Sequence, residues 1–82
     1  MRNNSNTYKD SMEMDANAIW LSLLDHGTLS IEEVGKVTNL EESSIYLALG
    51  WLTRENEIQI FEEHDILYVE LHHSISEMFY GK

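Results

Sequence analysis

The stretch of residues 31–55 constrains the fold most, because two amphipathic helical patterns lie on either side of a short polar turn. Ser30 and Glu33 have the spacing of a capping box, which predicts that the first helix begins at residue 31. Asn39, in the turn 38–40, tolerates a left-handed backbone. At roughly 100° per residue, the second pattern places one apolar stripe on a single helix face. That stripe contains Ile45, Ala48, Leu49 and Leu52. The sequence therefore predicts two packed helices, over about 31–37 and 42–55.

The regions before and after this stretch extend the same core. A first helix is predicted from residue 12 or 15 to His26, with Gly27 as its C-terminal residue in left-handed geometry. Its apolar stripe is Ala16, Ile19, Trp20, Leu23 and Leu24. Behind the third helix, alternating apolar residues predict two strands joined near residues 62–65. Those residues are Ile58, Ile60, Leu67, Val69 and Leu71.

The two ends of the chain differ from this domain, which we place at residues 12–71. Residues 1–11 are polar and without periodicity, which predicts a mobile tail. The extension 72–82 contains a second Ser-x-x-Glu box, and its spacing fits a short helix, although strand and disorder remain open. Ile75, Met78 and Phe79 would line one side of that helix. Two turns are unstable alone in water, so the helix must dock on the domain or on a second copy.

The charge balance restricts the class of partner. Five Lys and Arg face fifteen Asp and Glu, a net charge of −10. Between residues 41 and 71 the sequence has one cation, Arg54, and eight acids. Nucleic-acid binders need several cations to displace counterions from phosphate, so this balance disfavours DNA and anionic membranes. Without an apolar run or signal peptide, the expected location is the cytoplasm, with no membrane contact.

Catalysis, metal binding and cofactor binding find no support in the sequence. The paired glutamates are neighbours along the chain, and no nucleophile elbow or phosphate loop is present. The chain has no cysteine, and adjacent His72 and His73 would point to opposite faces of a strand. We therefore expect no catalytic residue, no metal ligand, no cofactor and no small-molecule substrate.

Residues 43–55, together with Ile19 and Trp20, resemble a known family. The order helix, strand, helix, turn, helix, hairpin is similar to that of winged helix-turn-helix domains, an α+β fold. The run Ala-Leu-Gly-Trp-Leu at 48–52 is the most specific part. It resembles small stand-alone bacterial winged-helix proteins of uncharacterised function. The resemblance covers residues 12–71 and implies a three-helix core with a wing of two or three strands. It also implies DNA binding through the third helix and the wing, often as a dimer, and no known catalytic residue.

Two functional hypotheses follow. The first is a non-enzymatic module that works through protein contacts and forms a homodimer, because apolar residues lie where cations would be expected. Its candidate interface comprises Leu47, Gly50, Trp51, Phe61, Tyr68, Ile75, Met78 and Phe79. Alternatively, Trp51 leans onto the wing and fills core space. The second hypothesis is a sequence-specific transcriptional regulator that reads DNA with helix three (about 41–55) and the wing. Its DNA-facing candidates are Ser43, Ser44, Tyr46 and Arg54.

Overall fold

A computed structural model describes the backbone of residues 4–72 and the side chains of residues 9–72. Its elements are α1 (Asn4–His26), β1 (Leu29–Ser30), α2 (Ile31–Thr38), α3 (Glu42–Arg54), β2 (Ile58–Glu63) and β3 (Ile66–Leu71). The strands form one antiparallel sheet in the order β1-β3-β2. The α+β arrangement predicted from the sequence is confirmed, and of the two predicted alternatives the wing has three strands.

The helix-turn-helix begins and turns as its local chemistry predicts. The Ser30 backbone N–H donates to Glu33 Oε1 at 2.8 Å, and the Glu33 N–H donates to Ser30 Oγ at 3.1 Å. These two bonds satisfy donors that have no partner within the helix. Asn39 follows α2 with φ 63°, and its N–H donates to the Gly35 carbonyl at 2.8 Å. This left-handed residue turns the chain toward α3.

The core lies between the three helices and the base of the sheet. Its members are Ala16, Ile19, Leu23, Leu29, Val34, Ile45, Ala48, Leu49, Leu52, Ile58 and Val69. All four residues of the predicted α3 stripe are buried. Leu24, which the sequence places on the apolar stripe of the first helix, is 47% exposed, and Val37 at the end of α2 is 44% exposed. Leu24 is rotated around the axis of α1 from the buried Leu23, and Val37 is rotated around the axis of α2 from the buried Val34. Each side chain therefore lies at the edge of the face that other elements cover.

The hairpin packs on the core only at its base. Ile58 pairs with Leu71 and Ile60 with Val69, so these residues share the inner face of the sheet. Ile60 and Leu67 are nevertheless exposed, because β2 and β3 continue past the helices. The connection is shorter than the predicted 62–65. It consists of His64 and Asp65, both with positive φ (54° and 65°), as in a two-residue type I′ turn.

Helix α1 begins at Asn4, so the predicted start at residue 12 or 15 was too late. Among the described side chains of α1, the first buried one is Ala16, and residues 9–11 are exposed. A helical turn without a core-facing stripe shows no apolar period, which explains why periodicity missed it. No helix in the described part of the chain is both long and apolar enough to cross a membrane.

Candidate interaction surface of α3 and the hairpin

Burial of one stripe of α3 determines which side chains the helix presents outward. Leu49 is 2% exposed, whereas Leu47, two residues earlier, is 63% exposed. Ser43, Tyr46, Gly50 and Arg54 are also exposed, and Ser44 is half-buried. On α3, the protein-contact candidates Leu47 and Gly50 are therefore exposed on the same part of the helix as the DNA-contact candidates Ser43, Tyr46 and Arg54.

Leu47 and Trp51 lie on the side of α3 that faces α1. Leu47 borders a groove of about 520 Å³, with Ser11, Met12, Asp15, Ser43 and Ser44. Trp51 is half-buried and packs against the core, as the core-filling alternative predicted. It borders a second groove, next to Trp20 of α1. Leu47 is consequently more available to a partner than Trp51.

Phe61 and Tyr68 form a separate aromatic pair on the outer face of the hairpin. They are directly opposed across β2 and β3, and their rings stack with centroids 5.5 Å apart and an interplanar angle of 21°. Beside them, Glu70 accepts hydrogen bonds from Gln59 Nε2 and from Thr28 Oγ1. Aromatic pairs of this kind contribute about 0.5–1.5 kcal/mol beyond their buried area. The pair therefore stabilises the wing in addition to offering an apolar surface.

The charge on this surface is acidic at both α3 and the hairpin. Exposed acids occupy the start of α3, its end and the hairpin tip: Glu41, Glu42, Glu55, Glu62, Glu63 and Asp65. Arg54 is the one Lys or Arg on α3, β2 and β3. On α2, Lys36 Nζ lies 3.7 Å from Glu32 Oε2, so that cation is already paired within its own helix. A phosphate backbone would find one cation here among several carboxylates.

Gly50 interrupts α3 on its exposed face. A Cβ added there would meet no atom within 4 Å, so nothing in the fold itself requires glycine. We expect Gly50→Ala to raise the free energy of unfolding by about 0.5–1 kcal/mol, because glycine weakens helix interiors by this amount. Urea denaturation measures this change.

Gly35 supplies the matched control, because a Cβ there would lie 3.4 Å from Ile45 Cδ1. Gly35→Ala gains the same helix propensity, but its Cβ would be in close contact with the buried Ile45 side chain, so a smaller gain or a small loss is expected. Destabilisation by Gly50→Ala would show that the α3 face has a constraint beyond the contacts described above.

Ile75, Met78 and Phe79 lie outside the described residues. Within the described region, no three His, Asp or Glu side chains are grouped as a metal site would need. His64 forms half of the hairpin turn, and the His72 backbone N–H donates to the Glu57 carbonyl at 2.9 Å.

Sequence reasoning missed one apolar surface, on the outer face of α1. Met14, Leu21 and Leu24 are all exposed there, with Leu21 at 51%. Together with Asn17 they follow the 3-4-3 spacing of a heptad seam. That spacing was visible in the sequence, but the stronger inward stripe around Ile19 conceals it.

Comparison with known proteins agrees with this architecture. Solved structures that resemble the chain include the solution NMR structure of protein BT2368 from Bacteroides thetaiotaomicron and HlyU from Vibrio cholerae. The first is 28% identical with a TM-score of 0.71, covering 88% of this chain and 82% of that one. The second is 24% identical with a TM-score of 0.65, covering 90% and 86%. Reduced HlyU is 20% identical, with the same TM-score and 96% coverage of both chains.

Among curated proteins, none matches the chain. The model of one family, described as a winged helix-turn-helix domain (DUF2582), matches residues 8–71. That range includes the whole of the described core, the complete helix-turn-helix and the hairpin. The chain therefore belongs to the DUF2582 family of winged helix-turn-helix domains.

Proposed function

We propose that this protein is a non-enzymatic winged-helix module that acts through protein contacts and forms a homodimer. The observation that carries the proposal is the outward surface of α3 and the hairpin, where Arg54 stands among exposed acids. Phosphate contacts supply most of the affinity of DNA-binding proteins, and each needs a cation or another donor. Acidic side chains at these positions instead repel a phosphate backbone.

A protein partner suits the apolar part of the same surface. Leu47 is exposed beside Gly50, and the absence of a side chain at Gly50 leaves open space on the helix. Phe61 and Tyr68 add an aromatic surface on the hairpin. Apolar and aromatic groups ringed by polar residues are typical of protein interfaces. We assign Leu47, Gly50, Phe61 and Tyr68 to partner contact. Trp51 is not included, because it packs against the core.

The homodimer is best supported on the outer face of α1. This helix of 23 residues is about 34 Å long, and among its described side chains (residues 9–26) the first buried one is Ala16. A helix that extends past its core gains little stability from propensity alone. Met14, Leu21 and Leu24 form an exposed seam whose spacing fits a second α1. Pairing of two copies would cover this seam and give the N-terminal turns a packing surface.

Sedimentation analysis of matched leucine variants tests the homodimer. We expect the wild-type chain to sediment as a dimer across the micromolar range, and Leu21→Asp to sediment as a monomer. In the dimer, a carboxylate at position 21 would be buried away from water with no cation to pair with it, which strongly disfavours association. Leu47→Asp places the same charge on the equally accessible face of α3 and should remain dimeric. A monomeric wild type would eliminate the homodimer, and dissociation by Leu47→Asp alone would move the interface to α3.

DNA binding is the second candidate, and the fold is the observation that favours it. The winged helix-turn-helix presents α3 outward, with Ser43, Tyr46 and Arg54 accessible. Helices in this position enter the major groove in many DNA-binding proteins. The proposal of protein contact therefore requires a direct test against DNA.

Retention on fragmented genomic DNA at low ionic strength distinguishes the two functions. We expect no retention, since Arg54, the one Lys or Arg of α3 and the hairpin, cannot release enough counterions from the DNA phosphates. Retention that decreases with added salt and with Arg54→Ala would establish the DNA-binding function instead. Lys36→Ala is the matched control, because Lys36 lies on α2 and is already paired with Glu32 of the same helix. This substitution should leave any α3-dependent retention unchanged.

A further inference from the structure

Two grooves lie on either side of the exposed N-terminal half of α3. The first, between α1 and α3, is the groove of about 520 Å³ that Met12, Asp15 and Leu47 border. The second, between α2 and α3, has a volume of about 400 Å³ and is bordered by Gly35 and Tyr46. Tyr46 and Leu47 are consecutive, so roughly 100° separates them around the helix axis, and each borders a different groove. A partner that lies across this half of α3 would therefore reach both grooves.

Each groove contains apolar surface that the fold leaves accessible. In the α1–α3 groove, Leu47 is 63% exposed and Met12 is half-buried. In the α2–α3 groove, Ile31 and Leu40 are half-buried, and Tyr46 is 48% exposed. Accessible apolar and aromatic groups between polar residues are typical of protein interfaces.

Carboxylates border both grooves. Asp15 borders the α1–α3 groove, and Glu32 and Glu42 border the α2–α3 groove. Lys36 pairs with Glu32 at 3.7 Å, whereas neither Asp15 nor Glu42 forms an ion pair with any residue among 9–72. The helix dipole favours Glu42 in the first turn of α3, but Asp15 lies in the middle of α1, where the dipole has little effect. The grooves therefore combine apolar surface with negative charge that the described part of the chain does not neutralise.

We propose that this half of α3 binds a basic segment of a partner protein, in which Lys or Arg residues lie beside apolar ones. The inference rests on the proposed function in protein contact and specifies the chemistry of the partner. Apolar side chains of the segment pack on Leu47 and Met12. A Lys or Arg of the segment lies between the Tyr46 ring and the Glu42 carboxylate, because both groups attract a cation.

Charge complementarity selects this occupant over the others. A second copy of the chain brings a net charge of −10 to the same carboxylates, so this surface disfavours self-association. The phosphates of DNA and of anionic membranes are repelled for the same reason. Pairing of two copies through the outer face of α1 leaves α3 accessible to the basic segment.

Fluorescence anisotropy with a labelled synthetic peptide and the full chain tests this inference. The probe is an amphipathic peptide of leucine and lysine, and the control peptide has glutamate in place of every lysine. We expect the chain to bind the lysine peptide at least about tenfold more tightly than the glutamate peptide. Added salt should reduce this difference, because it screens exposed charges. Equal binding of the two peptides, or binding of neither, would overturn the inference.

Matched variants locate the binding on α3. We expect Glu42→Gln and Leu47→Ser each to weaken binding of the lysine peptide by about threefold, since each removes one exposed contact. Glu62→Gln and Leu67→Ser make the same changes at exposed positions of the hairpin and should leave binding unchanged. Equal weakening by the α3 variants and the hairpin variants would overturn the inference, because the peptide would then bind without preference for α3.

Failure of this inference differs from failure of the proposed function. Retention of DNA that depends on Arg54 would contradict protein contact as the role of this surface, and with it the basic partner. A chain that retains no DNA but prefers the glutamate peptide would overturn the basic partner alone.

Discussion

Leu49→Ala is expected to lower the free energy of unfolding by about 2–5 kcal/mol, since truncation of a fully buried leucine loses its transfer free energy and leaves a cavity. Leu49 is 2% exposed and belongs to the core shared by the three helices and the sheet. Leu47→Ala, on the same helix, removes the same atoms from a side chain that is 63% exposed. Its effect is expected to stay within about 0.5 kcal/mol.

Urea denaturation followed by circular dichroism measures both variants. Protein concentration must be kept constant, because dimerisation adds to apparent stability. Equal losses for Leu47→Ala and Leu49→Ala would contradict the orientation of α3. A large loss for Leu47→Ala that disappears on dilution would instead identify Leu47 as part of the dimer interface.

Ser30→Ala is expected to lower the free energy of unfolding by about 1–2 kcal/mol, at the upper end of the range for N-cap residues. Ser30 is buried and pairs with Tyr68 in the sheet, so solvent cannot replace its hydroxyl easily. Its loss leaves the Glu33 N–H without its acceptor at the start of α2. Thermal unfolding of the variant measures this loss.

Ser43→Ala is the matched control for the cap. Ser43 is exposed in the first turn of α3, and Glu41, the N-cap of that helix, makes no side-chain capping bond. Removal of the Ser43 hydroxyl should therefore change stability by less than about 0.5 kcal/mol. A neutral Ser30→Ala would show that the capping box contributes little to positioning α2.

The fold of this protein and its binding function depend on different residues. Winged-helix architecture arises from the packing of Ile19, Val34, Leu49 and Val69, all of them inside the molecule. Binding depends on the outward residues, which the core does not restrict. Membership in the family consequently establishes the scaffold, while the choice between protein and DNA rests on Arg54 and its acidic surroundings.

Local patterns in the sequence were sufficient to predict most of the fold. The capping box at Ser30, the left-handed Asn39 and the α3 stripe each depend on residues within one or two helical turns. Such features depend on spacing and backbone preference, which do not change with the rest of the chain. The same reasoning was too coarse at the edges, where Leu24 and Val37 are exposed. An apolar residue at the margin of a stripe is covered only if a neighbouring element extends over it.

The sequence by itself determined the order of elements, the helix-turn-helix, the hairpin and the charge that disfavours DNA. Only the tertiary structure decided that Trp51 packs against the core while Leu47 stays exposed, and that α1 carries a second apolar face. The physical reason is that periodicity reports the directions of side chains around one helix axis. Which of those directions are filled depends on elements that are distant in sequence.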